Sequence, residues 1–561
     1  MSVKIESISE AIKRSHFMIT VLGFLSPLRA LALAPLRALR LVAEPDPVDF
    51  AFTASEVAQL QRVSADPAAP AIDAQTWNDL LLDSYSALLS HEVSIFGQQV
   101  LHQRLRAGLG EADCGALGER VRTLIADPAL LEQLHADSRD LRRADTDIAA
   151  LLFETAQPPE PGWVRYWWLM PLGLLACVAG AMWTPFAWLG AGYAMYRLIA
   201  PQMIFYSAMQ AWERSLLALQ MLLRTCSLLG VHRHHLLQAQ AALAARAGAL
   251  NRGLSRASAL GPIPGLRAYA DWFLLDNVRH YFRSIRLVHA QRAVLRDCYL
   301  ACANLEADIA LARHLLHTPA SCWAQRHDGS DIVLVQVVHP LLEDAAPLDV
   351  ELIGKGAFVS GQNGSGKSTL LRTIGLNLVV ARAFGFCYAA NAQVPALPVY
   401  ASMQSEDSLL GGESLYMAEL RRATELLAAA DGPHGGVYII DEIFRGTNHL
   451  ESVSAAAAVL DALAARGKVI VSSHNLVLAS LLEHRLAPLC VSAAGGRTLA
   501  LVLVPGVLTH TNGIALLAAH RFGAGIEANA VQVFDWLSGH LAHPAGAGQV
   551  LTTGAGRMSE N

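Results

Sequence analysis

A glycine-rich turn set between an apolar strand and a helix-patterned run constrains this chain more than any other feature. Phe358-Val359-Ser360 leads into Gly361-Gln362-Asn363-Gly364-Ser365-Gly366-Lys367-Ser368-Thr369, and an apolar run over 370–383 follows without a break. The pattern G-x-x-x-x-G-K-[ST] in that setting predicts a phosphate-binding loop. Its glycines let successive backbone N–H groups converge on phosphate oxygens, and the helix that follows turns its positive end toward the same charge. Lys367 is expected to reach the β- and γ-phosphates of a nucleotide, and Ser368 to offer its hydroxyl to Mg2+.

A second motif completes a hydrolytic site. Val437-Tyr438-Ile439-Ile440-Asp441-Glu442 places two carboxylates at the end of a buried strand. Asp441 is expected to hold Mg2+, directly or through water, and Glu442 to orient and deprotonate the attacking water. A further strand over 469–472 ends in Ser473-His474, which sets His474 at a carboxyl edge where it can sense the γ-phosphate. Strands expected at 332–338, 398–403, 437–440, 468–472 and 499–504 alternate with helices. The fold class over 326–541 is therefore an α/β P-loop ATPase domain with a mostly parallel sheet, and its ligands are ATP and Mg2+.

Upstream the chain reads as all-α. Residues 46–165 form an expected α-helical core domain and 206–325 an α-helical lever region, with apolar residues recurring at helical spacing. Between them, 166–196 carries no charge and is broken by Trp183-Thr184-Pro185. At 53% hydrophobic and 16% charged, with mean hydropathy +0.33, the composition is more apolar than that of an ordinary soluble protein. The halves 166–183 and 186–205 approach the roughly 20 residues that a spanning helix needs. Trp167, Trp168, Tyr193 and Tyr196 occupy interfacial positions, and Arg165 and Arg197 flank the run. The expectation is a transmembrane hairpin over 166–205, with membrane lipid as a partner and the ATPase domain on the cytoplasmic face of the cytoplasmic membrane. One long helix and a buried core hairpin are the competing readings.

The remaining segments say less. Residues 1–45 are basic and apolar and read either as a membrane-surface helix or as a start assigned too far upstream; a cleaved leader is rejected because export would strand the P-loop away from ATP. The tail, 542–561, is expected to be disordered. Eight scattered cysteines point to reduced thiols rather than a disulfide framework. A net charge of −5 argues against a nucleic-acid binder taken as a whole. The 206–300 region differs, because only Glu213, Asp271, Asp276 and Asp297 oppose its many arginines. It reads as a contact for the phosphates of duplex DNA or anionic lipid, or as a solvated helix face.

With these motifs the chain resembles the MutS family. The stretch from Gly361-Gln362-Asn363 to Arg372 is similar to GPNxxGKSTxLR, with Gln362 in place of proline. Asp441-Glu442-Ile443-Phe444-Arg445-Gly446-Thr447-Asn448 is similar to DE-[IL]-x-RGT-[SN], and 408–420 resembles the segment ending S-x-x-x-x-E-[LM]. His339-Pro340-Leu341-Leu342 resembles the approach to the family's ATPase domain, and Pro505-Gly506, Asn512-Gly513-Ile514 and 528–536 resemble its close. The resemblance implies a homodimer in which Ser414 is given in trans to the partner's nucleotide, with the 441–448 loop at the interface. Nucleotide state would then move the helical levers. No segment matches the mismatch-reading domain or its Phe-x-Glu wedge, so mismatch recognition is not expected of this chain. Leu410-Gly411-Gly412-Glu413 imitates the signature of ABC-type transporters, which leaves a transporter subunit or a chromosome-organising ATPase as competing functions.

Overall fold

The computed structural model describes residues 50–64, 70–154, 160–256, 266–318, 320–343, 345–362, 364–403, 415–433, 435–494, 500–508 and 524–541. The segments 1–45 and 542–561, the transporter-like 410–413 stretch, and Asn363 and Ser414 lie outside the described residues.

The chain from 50 to 318 is helical among the described residues, and four helices organise it: α1 (Ile95–Ala107), α2 (Ala187–Leu229), α3 (Asp276–Ala290) and α4 (Arg292–Leu316). Helix α4 is the central one because its sequence buries almost a full side of the cylinder. Leu295, Cys298, Tyr299, Cys302, Leu305 and Ile309 fall at three- and four-residue spacing, and all are buried. Phe96 of α1 meets Tyr299 edge to face with ring centroids 5.6 Å apart. Buried charge also ties this layer together: Asp308 of α4 accepts from Arg104 Nη1 at 2.8 Å and from Arg120 Nε at 2.6 Å. Taking away one partner of such a buried group costs about 3–5 kcal/mol. All eight cysteines are free thiols.

The expected transmembrane hairpin is not there. Among the described residues no helix is long and apolar enough to cross a membrane. The first half forms a helix only over Leu169–Gly180, 12 residues, and at about 1.5 Å per residue that falls well short of a hydrocarbon core of about 30 Å. The second half is the opening of the 43-residue α2, where Gly190, Gly192, Arg197, Pro201 and Gln202 dilute the apolar run. The two helices pack on each other and the second packs on α3, in a cluster that includes Leu174, Ala191, Leu198, Val278, Phe282 and Ile285. Gln202 Nε2 donates to Asp271 O at 2.7 Å and to Asn277 Oδ1 at 3.0 Å, and Asn277 Nδ2 returns a bond to Gln202 Oε1 at 2.6 Å. The tip stays open to solvent, with Met182, Trp183 and Phe186 exposed. The expected membrane placement and lipid partner rested on this hairpin and fall with it.

The α/β part holds a six-stranded sheet of β1 (Gly356–Gly361), β2 (Val399–Ser402), β3 (Val437–Asp441), β4 (Lys468–Ser472), β5 (Leu486–Ala494) and β6 (Ala500–Pro505), in the order β6-β5-β1-β4-β3-β2. Every pairing is parallel except β5 with β6. Strands β1, β3 and β4 are buried along their whole length, as unbroken apolar runs in a parallel sheet should be. Helices α5 (Lys367–Phe384), α6 (Leu415–Ala430) and α7 (His449–Ala464) belong to this part, and a smaller four-stranded sheet adjoins it.

One hydrophobic core runs through both parts, from Leu60, Phe96 and Tyr299 to Ile374, Val380, Ile439 and Ile470. Tyr388 OH bonds Tyr85 OH at 2.8 Å and His314 Nε2 at 2.8 Å, a polar joint inside that core. The helix Ala74–Asp79 lies against edge strand β2, where Thr76 Oγ1 accepts from Ala401 N at 2.9 Å and Asp79 Oδ2 from Met403 N at 2.8 Å. Asp79 O also accepts from Arg372 Nε of α5 at 3.0 Å. The helical part thus grips both the helix that follows the glycine-rich loop and the strand that leads toward Ser414.

Candidate functional site

The strand order brings three carboxyl ends side by side. Val359 of β1 pairs with Ser472 of β4, and Ser472 pairs with Asp441 of β3, so the glycine-rich loop, Ser473-His474 and Asp441-Glu442 leave the sheet at one edge. Ligands in open α/β sheets collect at such an edge.

The loop turns on Gly364 and Gly366, at φ +73° and +87°, a left-handed conformation open to glycine and costly for a residue with a Cβ. Lys367 begins α5 and folds back, its Nζ donating to Gly361 O at 3.0 Å and Gln362 O at 3.1 Å. Ser365 N donates to Gln362 O at 3.1 Å, while the buried Ser365 Oγ has no hydrogen-bond partner. Ser368 and Thr369 follow half-buried in the first turn of α5, whose leading N–H groups have no intrahelical acceptor. An orphaned hydroxyl, a buried ammonium resting on loop carbonyls, and free helix N–H groups make a cradle for anionic oxygens. Burial lowers the Lys367 pKa, and the nearby Asp441 and Glu442 carboxylates pull it back up.

Asp441, 4% exposed, accepts a hydrogen bond from Ser472 Oγ. Glu442 takes φ +59° and Phe444 φ +57°, conformations that cost about 1–3 kcal/mol each and persist only where the surroundings enforce them. Two contacts do so here: Glu442 N donates to Ser472 O at 3.0 Å, and buried Phe444 stacks edge-on against Tyr416. The outcome is a Glu442 carboxylate turned off the strand end, with His474 Nε2 2.7 Å from its Oε1 and Arg445 Nη1 3.5 Å from its Oε2. His474 is itself 54% exposed.

The loop beyond is held from α6 and by its own glycine and cap. Glu419 of α6 accepts from Arg445 N and Gly446 N, both at 3.2 Å, and lies 3.6 Å from the Arg445 guanidinium. A Cβ on Gly446 would sit 2.7 Å from Tyr416 N, so only glycine fits there. Asn448 caps α7 by accepting from Glu451 N at 3.0 Å.

Residues 357–523 match the family profile described as MutS domain V. Over this stretch the chain is similar to MutS proteins. It is 31% identical to the DNA mismatch repair protein MutS of Thermus aquaticus over 236 residues, 41% of this chain and 28% of that protein. It is 34% identical to the Endonuclease MutS2 of Thermus thermophilus over 32% of this chain and 24% of that one. To the DNA mismatch repair protein MSH3 of Phaeosphaeria nodorum it is 32% identical over 34% and 16%. The chain thus spans less than a third of the length of these MutS relatives.

Among the expected site residues of this MutS domain, the structure gathers Gly361, Gln362, Gly364, Ser365, Gly366, Lys367, Ser368 and Thr369 at one edge with Asp441, Glu442 and His474. Ser472 and Arg445, which touch the two carboxylates, and Glu419, which fixes the loop, were not singled out from sequence. Glu419 had a signal, because it is the glutamate of S-x-x-x-x-E. Ser472 had none, since a serine ending an apolar strand is ordinary.

Proposed function

We propose that the chain binds and hydrolyses ATP with Mg2+ as a MutS-type homodimer. The observation that carries this reading is the convergence of Lys367, Asp441, Glu442 and His474 on one sheet edge beside an anion cradle. The backbone of residues 361–369 and the Lys367 ammonium hold the phosphates. Ser368 and Asp441 are the residues that would hold Mg2+, which supplies charge neutralisation at the β- and γ-phosphates when bound. Glu442 accepts the proton of the attacking water. His474 steadies that carboxylate and lies on the side from which a γ-phosphate would be sensed.

Ser414 completes the partner's site in this reading, so each composite site needs two chains. Coupling from nucleotide to helical levers has a route in Asp79, which bonds Arg372 behind the phosphate loop and Met403 on the strand toward Ser414. Burial raises the Asp79 pKa, while the Met403 N–H and the Arg422 and Arg372 guanidiniums work against that shift. Duplex DNA is the proposed partner of the basic 206–300 region outside Arg256 and the arginines of α3, supported by the mismatch-repair names of the relatives and measured as an affinity that falls as salt rises.

The test of the composite site is complementation. Ser414→Ala and Lys367→Ala chains should each be inactive alone, and an equal mixture should recover activity because one of the two sites in a mixed dimer is intact. Activity per chain should also rise with protein concentration. A mixture as inactive as its components, or a concentration-independent rate from a monomer, rules out the shared site without touching the ATPase assignment.

A further inference from the structure

We propose that the cavity between residues 160–167, Arg256 and α3 is a second ligand site, built for a small soluble anion that carries two or more phosphate groups. The inference stands on residues remote in sequence from the ATPase edge and does not depend on the function proposed for it.

The cavity has a volume of about 640 Å3, within the roughly 300–1,000 Å3 range of small-molecule sites. Its lining is what distinguishes it. Arg165, Arg256, Arg279, Arg283 and Arg286 all face it, against the carboxylates of Glu160 and Asp276 alone. Three of these arginines stand at positions 279, 283 and 286 of α3, spacing that puts them on one side of the helix. Two of the five are neutralised. Arg256 pairs with Asp271 and, at 3.1 Å, with Asp276, and Arg286 Nη1 lies 3.1 Å from Glu160 Oε2.

The other three have no carboxylate partner among the described residues. Arg165 and Arg283 are exposed, and Arg279 lies over the Trp167 ring, its guanidinium carbon 3.8 Å from the centroid. That stacking holds a planar donor fork in place before any ligand arrives, the arrangement best suited to bidentate phosphate contacts. Arg256 adds a buried Nε with no hydrogen-bond partner. Three unneutralised guanidiniums around one concavity repel one another unless an anion sits there.

Concavity decides between kinds of phosphate. A duplex presents a continuous track of charge, about one per 1.7 Å of axis, and is met by an extended strip of cations. Here the free guanidiniums gather around one cavity, and the residues after Arg165 expose Tyr166, Trp168 and Leu169 instead of further charge. A compact polyphosphate, with several negative oxygens within a few ångströms, fits that distribution.

The experiment uses the full chain carrying Lys367→Ala, so that the ATPase edge does not compete, and titrates inorganic tripolyphosphate by calorimetry. One saturable site per chain is expected. In that background Arg165→Gln with Arg283→Gln should weaken it at least tenfold, while Arg283→Lys, which keeps the charge, should lose less than Arg283→Gln. Both side chains are exposed, so an unchanged unfolding midpoint is expected and certifies the comparison. Absence of saturable binding overturns the proposal, and so does an affinity that the double substitution leaves unchanged. A duplex oligonucleotide bound through Arg165 and Arg283, with tripolyphosphate left unbound, would make the arginines part of a nucleic-acid track and overturn it equally.

Discussion

Glu442→Gln should bind ATP as tightly as the parent chain and turn it over about 100- to 1,000-fold more slowly, the loss expected when a positioned general base is removed. The substitution is a clean one here because the amide keeps the shape of the carboxylate. It can still meet His474, which sits 2.7 Å from Oε1, and the left-handed backbone at 442 is set by Ser472 O and buried Phe444 rather than by the side-chain charge. What the glutamine cannot do is take a proton from water. Single-turnover hydrolysis measured beside equilibrium ATP binding separates the two effects. A Glu442→Gln chain that hydrolyses at the parent rate would take the residue out of the base role and leave the strained backbone at 442 without a chemical purpose.

Lys367→Ala should act earlier, on binding itself, weakening ATP by roughly 10- to 100-fold, as expected for losing a hydrogen bond made by a charged group at a buried site. Lys367 is 8% exposed and its ammonium now rests on Gly361 O and Gln362 O. Those carbonyls are a resting place that phosphate oxygens would outcompete, since burial already works against the isolated charge and only anionic neighbours favour it. The measurement is the rise in melting temperature with added ATP, which reports occupancy of the folded state. The parent chain should be stabilised progressively and the alanine chain scarcely at all at the same concentrations. Equal stabilisation of both would remove Lys367 from the phosphate contacts.

The chemistry of the ATPase edge was legible in the sequence wherever it is local. A phosphate loop is a contiguous pattern whose glycines, lysine and serine each answer to backbone geometry. Asp441-Glu442 could be read because an apolar run announces its strand. The strands at 437–441 and 468–472 fall where apolar periodicity put them; 332–337 is a strand as well but joins the smaller sheet through antiparallel partners instead of the parallel one, and Leu486–Ala494 was missed, Pro488 interrupting what would otherwise read as a strand.

Contacts made across the fold were not legible. Nothing near Asp79 in sequence tells that it meets Arg372 and Met403, nor does anything near Ser472 announce the carboxylate it holds. The hairpin failed for a different reason. Hydropathy averages a window without knowing where helices stop, and the turn after Gly180 cuts the first run to a length that no spanning helix has. The apolar character was real, but only part of it serves packing, through Leu174, Ala191 and Leu198, while Leu172, Leu175, Val178, Trp188 and Leu189 stay exposed.

Helix α2 carries a weak point at Pro201. Proline has no N–H to give, so the helix lacks one rung there, and the arm of about 22 Å between Pro201 and Phe186 would swing its end by about 4 Å for each 10° of bend. What resists that swing is one residue along. The paired amides of Gln202 and Asn277, with the bond from Gln202 to Asp271 O, fasten the helix to its neighbours just where its own ladder is thinnest. The bearing of the exposed tip is therefore set by two side-chain amides together with the packing of Leu198 in the cluster with Val278 and Phe282, rather than by forty-three residues of helix alone. A single change at Gln202 would alter where the tip points while leaving both halves of α2 helical.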